Sequence, residues 1–98
     1  MNIYSQDKSA DRQPVAAGRF YAADKTKLTQ SISELFSDCK KSEEKLQVRA
    51  IISPHAGYVF SGRTAAAALS AVPASSKFKN IFIIGSSHVM SFEGASVY

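Results

Sequence analysis

Two short apolar runs rich in β-branched residues, each broken by a turn that carries a histidine, constrain this chain more than any other feature. The first, Val48-Arg-Ala-Ile-Ile-Ser53, stops at Pro54-His55-Ala-Gly57. The second, Asn80-Ile-Phe-Ile-Ile84, stops at Gly85-Ser-Ser-His88. Between them lies Arg63-Thr-Ala-Ala-Ala-Ala-Leu69, a small-residue helical pattern. Apolar runs of this length bounded by turn residues read as strands, and two strands joined through a helix run parallel with a right-handed crossover. The pattern therefore predicts an α/β chain, an incomplete parallel or mixed sheet with flanking helices. It also predicts that His55 and His88 emerge at one carboxyl edge of that sheet, where open α/β sheets bind ligands.

The chain has 98 residues, of which 45% are hydrophobic, which suits one small globular domain. Residues 1–13 are polar and aperiodic and read as a flexible N-terminal tail, so residues 14–98 are expected to form the ordered part. Two strands and two helices cannot cover both faces of a parallel sheet, and Gly94-Ala-Ser-Val-Tyr98 reads as a strand just beginning. The sequence is thus expected to be the opening portion of a larger fold, with an open sheet edge available for self-association.

The net charge is +4, yet Lys40, Lys41 and Lys45 are interleaved with Glu43 and Glu44, and Lys77 and Lys79 flank Phe78. That distribution describes a solvated face and argues against a nucleic-acid partner. Cys39 is the single cysteine, so an internal disulfide is excluded; its spacing from Leu35 and Phe36 gives it a packing role on a helix. The first dozen residues contain no apolar stretch of signal-peptide length, and no run approaches the roughly 20 apolar residues that span a bilayer. A cytoplasmic location away from membranes is the expectation.

Asp24 is a good N-cap, and behind it Leu28, Ile32, Leu35, Phe36 and Cys39 form an apolar stripe at helical spacing, predicting a helix that ends near Lys41. Ser61 is placed to cap a second helix, which Val72-Pro73 closes. Pro14-Val-Ala-Ala-Gly-Arg-Phe-Tyr21 reads as a strand or an extended loop with a bend at Gly18.

His55 and His88 stand 33 positions apart, about the length of one strand-helix-strand unit. Imidazole is the commonest metal-ligating side chain, and Gly57 and Gly85 leave room for a ligand to approach the turns. The alternative is that each ring hydrogen-bonds to backbone at a strand end. Two imidazoles form an incomplete set, since structural zinc takes four protein ligands and non-haem iron(II) two histidines with a carboxylate. The nearest acid, Glu93, fits a surface turn better than a ligand. Ser86 and Ser87 lack an orienting acid for nucleophilic chemistry, and Ser61-Gly62 suits capping better than anion binding. Phe20, Tyr21 and Tyr58 are candidate aromatic walls of a pocket, with plain packing as the alternative.

Three of these motifs, Pro14-Val-Ala-Ala-Gly-Arg-Phe-Tyr21, Ile51-Ile-Ser-Pro-His-Ala-Gly-Tyr58 and Ile83-Ile-Gly-Ser-Ser-His88 followed by Phe92-Glu-Gly94, occur in the order seen in the opening third of the Memo family, also called the AmmeMemoRadiSam system protein B family, and the chain resembles it from Pro14 to Tyr98. The resemblance implies an α/β fold similar to class III extradiol dioxygenases such as the protocatechuate 4,5-dioxygenase catalytic subunit. It implies a metal pocket in which His55 and His88 match the first two site histidines, with a third ligand farther along the family's sequence. Family members usually carry Gly-Pro-Ser-His-His at the second motif; here Ser86 replaces the proline and Val89 the final histidine. Roles proposed across the family include binding iron or copper, redox activity and engagement of phosphotyrosine partners.

The leading expectation is therefore a chain that carries two histidines of a non-haem iron(II) or copper pocket, with an incomplete ligand set. The alternatives are a non-catalytic module that binds a peptide, an anion or another small molecule, and a truncated chain with no activity of its own.

Overall fold

The computed structural model describes residues 13–39 and 47–95, and these contain two helices. Helix α1 spans Lys25–Ser37 and helix α2 spans Tyr58–Ser70. The described residues separate into two compact units, Pro14–Lys77 and the described part of Phe78–Tyr98.

Helix α1 starts where the sequence places it. Asp24 takes extended backbone and its carboxylate accepts a hydrogen bond from the Lys27 amide at 2.9 Å, satisfying one of the donors that a first helical turn leaves open. Asp24→Ala should therefore lower stability by about 1 kcal/mol, measured as a drop in the urea midpoint at unchanged slope. The helix stops at Ser37 with Asp38 as C-cap, short of the expected end near Lys41. Lys40 and Lys41 lie outside the described residues, as does most of the expected tail at 1–13. Leu28, Ile32, Leu35 and Cys39 are half-buried, while Phe36 on the edge of the stripe is exposed. The Cys39 thiol donates to the Leu35 carbonyl at 3.2 Å, which fits the packing role expected of it.

Helix α2 begins four residues earlier than its sequence suggests, with its cap at Gly57 in place of Ser61. Ser61 lies inside the helix with its hydroxyl donating back to the Ala56 carbonyl at 2.9 Å. The cause is a tertiary bond: the Tyr58 amide donates to the Phe20 carbonyl at 2.8 Å, so a donor at the helix start is met by another segment. The two helices pack through small residues on α2, where Ser61, Gly62 and Ala66 are buried. A Cβ on Gly62 would lie 2.9 Å from Leu35 Cδ1, so this glycine sets how closely α1 approaches.

The expected α/β class is corrected by the structure. No strand or sheet occurs among the described residues; the sole bridge is an isolated one between Ala17 and Tyr21. Residues 47–55 and 80–87 are irregular, and their apolar side chains face solvent: Ile52 is 97% exposed, and Ile83 and Ile84 are 94% and 95% exposed. The physical reason is that a strand depends on neighbours. β-Branched residues fit a pleated surface, but ladder hydrogen bonds and cover on both faces must come from other elements. These runs have the composition of buried strands without that cover. The strand expected to begin at the end of the chain falls on residues 96–98, outside the described set. No helix among the described residues is long and apolar enough to cross a membrane.

Candidate functional site

The segment at 14–21 folds as a tight coil rather than a strand. The Arg19 and Phe20 amides donate to the Ala16 carbonyl at 3.2 and 3.0 Å, and the Gly18 amide donates to the Tyr21 carbonyl at 2.7 Å. Gly18 makes the bend with φ of 79°, a left-handed conformation that costs a glycine little. The coil presents Phe20 and Tyr21 beside the start of α2. There the coil rests against Gly57, where an added Cβ would meet the Phe20 carbonyl oxygen at 3.4 Å, an ordinary contact. Tyr58, the first residue of α2, brings its ring to 5.5 Å from that of Tyr21, centroid to centroid, tilted by 39°. That separation is within the usual range for aromatic pairs.

These elements border a hollow of about 340 Å³ that is open to solvent on one side, with Phe20 and His55 exposed at its rim. Its walls are Phe20, Tyr21 and Tyr58 with His55 from the Pro54-His55-Ala56 turn, and its floor is made of small residues of α2 including Ser61, Gly62 and Ala65. Four of the five residues singled out from the sequence, Phe20, Tyr21, His55 and Tyr58, thus line one cavity inside the unit 14–77. Sequence reading missed the floor. Its signal was present in the run of small residues on α2, which leaves space where larger side chains would fill it.

His88 belongs to the other unit, where the Ser87 hydroxyl shapes its turn. That hydroxyl donates to the Met90 carbonyl and accepts from the Met90 amide at 3.2 Å, closing a loop over His88 and Val89. Ser87 is therefore a turn-forming residue. Glu93 is exposed at a bend beside Gly94, whose φ is 83°. A second hollow, of about 270 Å³, lies between α1 and α2 and is lined by Leu35, Tyr58, Phe60 and Arg63 among others. Arg63 there pairs with Asp38 at 3.1 Å, with both side chains largely in solvent, so the pair adds little stability.

A metal centre of the kind the motifs suggest needs three or more donors. Among the described residues no three His, Cys, Asp or Glu side chains gather in a metal-binding group. The hollow itself supplies one imidazole, His55, beside the phenols of Tyr21 and Tyr58.

Comparison with known proteins decides the family. The model of the Memo-like protein family matches residues 12–98, most of the chain. The chain belongs to the Memo family. A MEMO1 family protein of Aquifex aeolicus is 33% identical over 87 residues, covering 89% of this chain and 31% of that protein. A MEMO1 family protein of Thermococcus onnurineus is likewise 33% identical over 87 residues, covering 89% of this chain and 30% of its own length. The memo-1 homolog of Caenorhabditis elegans is 36% identical over 81 residues, covering 83% of this chain and 22% of that protein. This Memo-family chain therefore spans about a third or less of the length of these relatives. No solved structure matches it significantly.

Proposed function

We propose that this Memo-family chain contributes two imidazole ligands, His55 and His88, to a non-haem iron or copper pocket of the dioxygenase-like kind. The observation that carries the reading is the position of His55 on the wall of an aromatic-lined hollow in a chain of this family. His88 enters by its motif, Gly85-Ser-Ser-His88, which is similar to the family's second metal-site motif. A bound iron or copper ion would supply Lewis acidity or redox chemistry. The residues of this chain would do the rest: the imidazoles hold the ion, and Phe20, Tyr21 and Tyr58 keep water away from one side of it. Val89, in the place usual for a further histidine, offers no ligand.

Anaerobic calorimetric titration of iron(II) and copper(I) into the wild type, His55→Ala and His88→Ala tests this reading. Saturable binding at one site per chain is expected for the wild type, weakened by at least about tenfold in each variant. Equal affinity in all three proteins would eliminate the site.

A further inference from the structure

Asn80-Ile-Phe-Ile-Ile-Gly85 has the composition of a buried strand and none of the cover. Ile81 and Phe82 are 75% and 87% exposed, Ile83 and Ile84 more so, and among the described residues no backbone hydrogen bond joins 80–85 to another segment. Single exposed apolar side chains are ordinary, but a continuous row of them on open backbone is a template for another chain.

The first apolar run lacks this property. Val48-Arg-Ala-Ile-Ile-Ser53 carries a charge at Arg49 and stops at Pro54, which has no amide to donate. Asn80–Gly85 has no charge and no proline, and its one glycine is terminal, the composition of a segment that stacks on copies of itself.

Charge selects the arrangement. Parallel in-register pairing would set Lys77 beside Lys77 and Lys79 beside Lys79 in every neighbouring copy, a repeated like-charge contact. An antiparallel pair centred between Phe82 and Ile83 avoids it. In that register Lys79 lies opposite Ser86 of the second copy, Ile81 opposite Ile84, and Phe82 opposite Ile83, an aromatic and β-branched pair of the kind that stabilises sheets. Successive side chains of a strand alternate between faces, so Ile81 and Ile83 take one face and Phe82 and Ile84 the other. Both faces of the pair are then apolar, and each strand keeps an open edge. Such a pair grows instead of closing as a dimer.

We infer that residues 80–85 are a self-recognition segment whose partner is the same segment of a second copy in antiparallel register, and that the assembly extends beyond the dimer. The contact needs neither the hollow nor a metal.

The test follows the chain at micromolar concentration by sedimentation velocity and thioflavin T fluorescence. Assembly is expected to rise steeply with concentration, to be seeded by synthetic Asn80–Gly85 peptide, and to show the amide I infrared splitting of antiparallel strands. Ile83→Lys places a charge at the centre of the pair and Ile83→Pro removes a ladder donor there, so each should slow assembly by at least about tenfold. Both act at an almost fully exposed side chain, and the circular dichroism of the two helices should stay that of the wild type. Ile52→Lys, at an equally exposed position in the first run, controls for general apolar adhesion and should leave the rate unchanged. A chain that stays monomeric, a closed dimer, a parallel infrared signature, or equal slowing by Ile52→Lys and Ile83→Lys would each overturn the inference.

Discussion

Gly62→Val should destabilise the unit formed by residues 14–77 by about 2 kcal/mol, within the range for overpacking a close interface. The cause is local. A Cβ at Gly62 already falls 2.9 Å from Leu35 Cδ1 and 3.3 Å from Cδ2, and the two γ-methyl groups of valine reach farther into the α1–α2 contact. Gly62→Ala is a different case. Its single Cβ meets the free end of a flexible leucine, and the gain in helix propensity of about 1 kcal/mol offsets a small shift of that side chain. Urea unfolding monitored by far-UV circular dichroism distinguishes the two, with a lower midpoint for valine and a nearly unchanged one for alanine. Leu35→Ala supplies the control. It removes the atoms that valine strikes, so the double variant should lose less than the sum of the two single losses. Strict additivity would show that the clash is not with Leu35.

Gly18→Val should cost about 2 kcal/mol and disturb the hollow as well. Gly18 has φ of 79°, where an L-residue meets steric cost and a β-branched one is a genuine outlier. Space is not the cause, since an added Cβ would meet only Ala23 Cβ at 3.7 Å. The strain is in the backbone. Relieving it would open the bond from the Gly18 amide to the Tyr21 carbonyl, and with it the placement of the Tyr21 ring against Tyr58. The measurement is paired: the urea midpoint reports stability, and the ring-current shifts of the Tyr58 protons report the aromatic pair. A midpoint and shifts equal to those of the wild type would show that the coil at 14–21 does not depend on this glycine.

What was legible from residues alone follows from the range of the forces involved. Asp24 and the stripe behind it located α1 because capping and helical periodicity act within a few residues. The start of α2 was misplaced because the Tyr58 amide is met by Phe20, nearly forty residues earlier, and no local pattern announces such a partner. The aromatic candidates share that history. Phe20, Tyr21 and Tyr58 stood out by type, but their meeting around His55 depends on the bend at Gly18 and the hydrogen bond from the Tyr58 amide to the Phe20 carbonyl.

The strands illustrate the opposite failure. Val48–Ser53 and Asn80–Ile84 have strand composition because side-chain type is a local property, whereas a ladder requires neighbours. By itself the sequence determined the helix-forming segments, the two histidine turns and, through its motifs, membership of the Memo family, all features carried by residues close together in the chain. The tertiary structure decided which of those residues share a hollow and left the apolar runs outside any sheet, because burial and backbone pairing depend on segments distant in sequence.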